Sequence, residues 1–148
     1  MIRFIKNKDL ILRRIIDVEH KKGEDIIIAN LVDGGRHAYI VEPFIDEKDI
    51  SKTIEKLKPY EMCSLVVYNT KANFDAIVRH WDKIAGFKKN FSVNFINPFS
   101  KSEKRWVVYP MTHELVVEKS KIGSSLKILF SNVDAVSKEE IENILKEQ

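Results

Sequence analysis

The chain holds a single cysteine, Cys63, so no disulfide can form within it and no metal site can be built from several thiolates. Five glycines and four prolines are too few for a collagen-like or low-complexity chain. Neither phosphate-cradling signature, G-x-G-x-x-G or G-x-x-x-x-G-K-[S/T], occurs. No apolar run approaches the ~20 residues that a membrane-spanning helix needs, so no membrane association is expected. The opening MIRFIKNKDLILRRIID meets a charge every few positions and lacks the unbroken apolar stretch of a secretory signal. A cytoplasmic location is the resulting expectation, and one unpaired thiol suits a reducing compartment. Glutamine is nearly missing as well, occurring only at Gln148.

What is present is a chain of 148 residues, 44% hydrophobic and 32% charged. That length suffices to bury roughly two-thirds of the unfolded surface, and no repeat or Pro/Gly/Ser-rich linker divides it, so residues 1–148 are read as one domain. Lysine outnumbers arginine 19 to 6 and isoleucine occurs 19 times. This composition resembles the hyperthermophile bias, and an AT-rich genome produces the same excess. The formal net charge of +3 is unevenly spread. Residues 1–22 carry seven basic and three acidic side chains, and residues 79–105 carry seven basic and two acidic ones. The remainder is therefore acidic, and a polyanion is the natural first partner.

Apolar spacing outlines the elements. Asn7 or Asp9 can cap a first helix bearing Leu10, Ile11, Ile15 and Val18, although the same residues also suit a strand. Residues 25–32 form an apolar run fit for a strand covered on both faces. Asp33-Gly34-Gly35-Arg36 reads as a tight turn into a second strand, His37 to Glu42, which Pro43 ends. Asp46 or Asp49 opens a helix that Pro59 stops. Residues 62–68 are a second buried strand, followed by one long helix over 72–85 with Gly86 at its end. Further strands are expected at 91–95, 106–109, 115–117 and 126–130. Ser137 and Glu140 form a capping box for a last helix, 138–146. Strands alternating with helices predict a three-layer α/β/α sandwich, with a Rossmann-like, mostly parallel sheet and a possible antiparallel hairpin at 25–42.

Chemistry-bearing patterns are sparse. His20, His37, His80 and His113 never fall at metal-ligand spacing, and Cys63 sits in an apolar strand as a core thiol would. Gly34-Gly35 beside Arg36 can form an anion nest, but a plain hairpin turn explains them fully. Asp134 stands where open α/β sheets place functional groups and where ordinary loop residues also lie. No catalytic residue, metal or cofactor is assigned.

The strongest lead is the basic, aromatic stretch from Arg79 to Trp106. Nucleic-acid binders need cations for phosphates and flat rings for unstacked bases. Trp81 lies on an apolar helix face, and Phe91 and Phe95 alternate as core residues do. This leaves Lys88, Lys89, Lys101, Lys104, Arg105 and Trp106 as the candidate surface for a nucleic acid or an acidic protein partner. Phe99, Trp106 and Tyr109 are alternative anchors for a homo-oligomer or a larger assembly.

Two resemblances accompany this reading. Asp17, Glu19 and Lys21 alternate and share a face in a strand. With an upstream Asp9, this Glu-x-Lys pattern resembles that of the restriction-endonuclease-like nucleases. The resemblance implies carboxylates that hold Mg²⁺ and a lysine that assists the attacking water. Separately, the strand 64–68 before a long helix, and the strand 92–96 ending in Asn97-Pro98-Phe99, resemble the later half of a RecA-type ATPase core. Without a phosphate-binding loop, that likeness implies a partner or regulator that does not hydrolyse ATP.

Overall fold

The structure, a computed structural model, describes residues 2, 5–6, 13–45 and 49–148. The expected positions Asn7, Asp9, Leu10, Ile11 and Asp46 lie outside the described residues. In chain order the elements are β1 (Ile15–Lys21), β2 (Ile26–Leu31), β3 (Arg36–Val41), α1 (Ile50–Leu57), β4 (Met62–Tyr68), α2 (Lys71–Arg79) and α3 (Trp81–Ala85). Then follow β5 (Phe91–Ile96), β6 (Arg105–Val108), α4 (Pro110–Val116), a 3₁₀ turn (Lys119–Lys121), α5 (Ile122–Ser131) and α6 (Lys138–Lys146).

The six strands form one sheet in sequential order, β1 to β6. Only β3–β4 and β4–β5 pair in parallel, whereas β1–β2, β2–β3 and β5–β6 are antiparallel. The fold is mixed α/β, and the expectation of a mostly parallel, Rossmann-like sheet is corrected. The connections explain why. A parallel neighbour needs a crossover of a dozen or so residues, and only the segments holding α1 and α2–α3 supply a helical one. The other links are tight or irregular. At the β2–β3 turn, Gly34 adopts φ 85 and its N–H donates to Leu31 O at 3.0 Å, a conformation that costs a side-chain-bearing residue strain. The antiparallel hairpin expected at Asp33-Gly34 is therefore present. β4 and β5 are strands as expected, but the long helix after β4 is broken at His80 and the mostly antiparallel sheet gives the RecA-type resemblance no support.

Two buried clusters lie on opposite faces of the sheet. Ile28, Ile40, Leu65, Val93 and Phe95 form one core with Leu57 of α1, Ile77 of α2, Ile84 of α3 and Leu126 of α5. Ile27, Ala29, Tyr39 and Val66 form a second core on the opposite face, against Ile5. β2 contributes alternate residues to each, as its unbroken apolar run anticipates.

One open choice is decided and three local expectations are corrected. Of the two alternatives for Ile15 and Val18, the strand is present, as β1. The helix over 72–85 is two helices, broken at His80, whose φ −100 and ψ 16 leave the helical region. Residues 115–117 follow or belong to α4, which Pro110 starts at its first turn, the position where a missing N–H and a fixed φ favour a helix. Residues 126–130 lie in α5, where Ile122, Leu126, Leu129 and Phe130 recur near 3.6-residue spacing and share the core. Asp49 caps α1 by accepting from the Ser51 N–H at 3.0 Å, and the capping box of Ser137 and Glu140 is formed at α6.

Candidate binding surface at the carboxyl ends of the central strands

β4 and β5 run side by side and each is followed directly by an asparagine, Asn69 and Asn97. Asn69 is fully buried. Its amide donates to Val133 O at 3.0 Å and to Asp134 O at 3.3 Å, and its Oδ1 accepts the Trp106 indole N–H at 2.7 Å. Asn73, also fully buried, accepts from the Ile45 N–H at 2.9 Å and donates to Pro43 O and Tyr68 O. The carboxyl rim is thus fastened by side-chain amides. They satisfy backbone groups that loops would otherwise leave orphaned away from water.

The loop of residues 98–104 is built on the same frame. Asn97 donates to Asp134 O at 2.8 Å and accepts from the Phe99 N–H at 3.0 Å. The Ser100 hydroxyl donates to Asp134 Oδ2 at 2.8 Å, and the Lys104 ammonium donates to Pro98 O and Ser100 O at 3.0 Å each. Asp134 is therefore a structural anchor of this loop. Phe99, 37% exposed, and Lys101 face outward from it.

The six residues expected to form one surface do not come together. Lys101 and Lys104 follow β5, whereas Lys88 and Lys89 precede it. The six-residue strand holds the two groups roughly 20 Å apart. The Lys88 ammonium donates to Lys58 O at 2.8 Å and to Tyr60 O at 2.7 Å, tying the opposite rim. Trp106 is only 6% exposed and stacks on Phe95 with ring centroids 4.1 Å apart, so it is a core residue and not a surface anchor. Arg105 is half-buried on the face that carries Tyr39. Burial pushes the Tyr39 phenol up to about 12; Tyr109 adds to the rise and Arg105 opposes it.

The nuclease-like residues are partly assembled. With β1 a strand, Asp17 and Glu19 share a face, and the Asn30 amide donates to both carboxylates at 2.8 Å. Lys21 instead approaches Glu24 at 3.8 Å and lies 5.7 Å from the centroid of the Tyr60 ring. Tyr60 is the main cause of its raised pKa, with Glu24 contributing. Asp9 lies outside the described residues. Among the described residues, no group of three or more His, Cys, Asp or Glu side chains is placed to hold a metal ion.

Other single residues fall as their surroundings dictate. Burial pushes the Cys63 thiol up to about 11, the state of an inert core thiol. Asp33 Oδ1 takes the Gly35 N–H at 2.8 Å, so the Gly34-Gly35 segment closes its own turn. His37, half-buried, pairs with Ser64 at 2.8 Å, and Ser64 with Ser92 at 2.6 Å, a polar row across the sheet. The asparagine frame escaped the sequence reading. Its signal was an asparagine directly after each of two apolar strands, Tyr68-Asn69 and Ile96-Asn97.

The chain matches no family model, no curated protein and no solved structure.

Proposed function

We propose that this chain is a non-catalytic binding module that engages a nucleic acid through the loop of residues 98–104. The observation that supports the reading is the pairing of a fastened backbone with outward side chains. Partly buried hydrogen bonds among Asn97, Ser100 and Asp134 hold the loop, while Phe99 and Lys101 remain exposed two residues apart. A pre-ordered loop pays little entropy on binding. An exposed ring suits an unstacked base, and a free ammonium suits a phosphate. Lys88 and Lys89, at the other end of β5, are not part of this contact.

The test is a titration of a labelled single-stranded oligonucleotide at low and moderate salt. Intact protein binds, and affinity falls steeply with salt. Lys101→Ala lowers the salt slope by about one, Phe99→Ala weakens binding roughly tenfold by loss of stacking, and Lys88→Ala has no effect. Absence of binding at low salt rejects nucleic acid. An acidic protein partner would instead respond to Lys101→Ala and ignore Phe99→Ala.

A second reading, a Mg²⁺-dependent nuclease using Asp17, Glu19 and Lys21, draws support from the shared face of Asp17 and Glu19 on β1. Plasmid cleavage in Mg²⁺ that Glu19→Ala abolishes would favour it. No cleavage, or equal cleavage by the variant, ends it.

A further inference from the structure

Glu42 follows β3 and is 7% exposed, an unusual fate for a carboxylate. Its Oε2 accepts the Thr53 hydroxyl at 2.9 Å, and no described cation lies within ion-pair distance of it. With one hydroxyl partner, this carboxylate keeps acceptor capacity unused at the wall of a cavity.

A cavity of about 730 Å³ opens beside Glu42, between α1 and α6, within the size range of small-ligand sites. Lys52 and Lys56 line it one turn apart on α1, and Lys138 lines it from the start of α6. None of the three forms an ion pair among the described residues. Asp49 and Glu142 also border the cavity, and Asp49 is engaged as the cap of α1. Among the described residues that line the cavity, three ammonium groups stand against three carboxylates, a balance close to neutral. The cavity therefore suits a compact ligand with an anionic end and a hydrogen-bond-donating end, rather than a polyanionic strand. The wall between those ends is aromatic. Phe44 and Tyr68, both half-exposed, have ring centroids 5.6 Å apart, and the Lys138 ammonium lies 5.2 Å from the Phe44 centroid.

We infer that this cavity binds a nucleoside monophosphate, its phosphate on Lys52 and Lys56, its base against Phe44 and Tyr68, and the N–H edge of the base on Glu42. Flat rings and cations around one cavity are what stacking and phosphate recognition require. The carboxylate adds selectivity. Guanine offers two adjacent N–H donors on one edge, which a carboxylate accepts together, whereas uracil flanks its single donor with two carbonyl acceptors that a carboxylate repels.

Calorimetric titration of the whole chain with GMP, AMP, CMP, UMP and inorganic phosphate tests this. GMP binds most tightly and UMP most weakly. Glu42→Gln keeps the Thr53 hydrogen bond but loses about tenfold in GMP affinity, since one side of the acceptor pair becomes a donor. Replacing Lys52 and Lys56 together by Ala, at exposed helix positions that tolerate it, weakens GMP by about tenfold and leaves guanosine unaffected. No nucleotide binding at millimolar ligand, equal binding of GMP and UMP, or affinity unchanged in both variants overturns the inference. Lys101→Ala leaves GMP binding intact, so failure of the loop reading and failure of this one are separable.

Discussion

Replacing Asn69 by Ala isolates what holds the carboxyl rim. The substitution removes the amide that donates to Val133 O and Asp134 O and the oxygen that accepts the Trp106 indole N–H. The backbone bonds of residue 69, to Ile96 O and from the Val136 N–H, remain. Two deeply placed groups lose partners: the Trp106 indole N–H and the Val133 carbonyl. Each stranded group costs about 1–3 kcal/mol, so a loss of about 4 kcal/mol is expected. For a chain this long that is a fall in Tm of about 8–16 °C, and it is a sizeable part of a typical stability of about 5–15 kcal/mol. Urea and thermal denaturation followed by circular dichroism measure it. The assignment to this network is tested by Trp106→Phe, which leaves the Asn69 oxygen unpaired while keeping much of the stack on Phe95. In the double variant both members of the pair are gone, and the two costs should fall short of their sum by about 1–2 kcal/mol. A loss below about 1 kcal/mol for Asn69→Ala, or strict additivity with Trp106→Phe, would refute the claim that this hydrogen bond fastens the loop.

Two further outcomes follow from individual side chains. Burial holds the His113 pKa below its ordinary 6.5, and its Nε2 meets Ser125 Oγ at 2.7 Å. The folded state thus binds a proton less readily than the unfolded one, so this contribution to stability is complete above the unfolded value and is lost as the pH falls through the folded one. Tm should decline from about pH 7 to about pH 5, and His113→Gln, which can still donate to Ser125, should flatten that decline; an identical slope in the variant contradicts the assignment. Cys63, fully buried with its thiol pushed up to about 11, should resist a thiol-reactive disulfide reagent at neutral pH and react completely in denaturant. Rapid reaction of the folded chain would mean that β4 opens to solvent.

Much of the local structure was legible because local chemistry decides it. Asp33-Gly34 must turn, Asp49 and Ser137 present oxygens to helix N-termini, and an apolar run bounded by turns becomes a buried strand. The binding surface was less legible. Trp106 sits in a basic stretch and looked outward-facing. The β5–β6 register sets it opposite Phe95, where the two rings stack and the indole N–H finds Asn69. Lys88 and Lys101 are close in sequence-level charge, yet β5 runs between them. Residues 126–130 of α5 read as a strand in sequence because a short isoleucine- and leucine-rich run fits both periods until its packing partners are known.

The sequence by itself determined that this chain combines strands and helices, with a Gly-bearing hairpin, capped helices and a buried cysteine. Each of these depends on neighbours a few residues apart. The tertiary structure alone decided that most strand pairs are antiparallel, that the lysines divide between two rims, and that Glu42 lines one cavity with three lysines that form no ion pair among the described residues. Those depend on contacts between residues far apart in the chain. Which face a side chain meets is set by pairing register and packing, and residue type leaves both open.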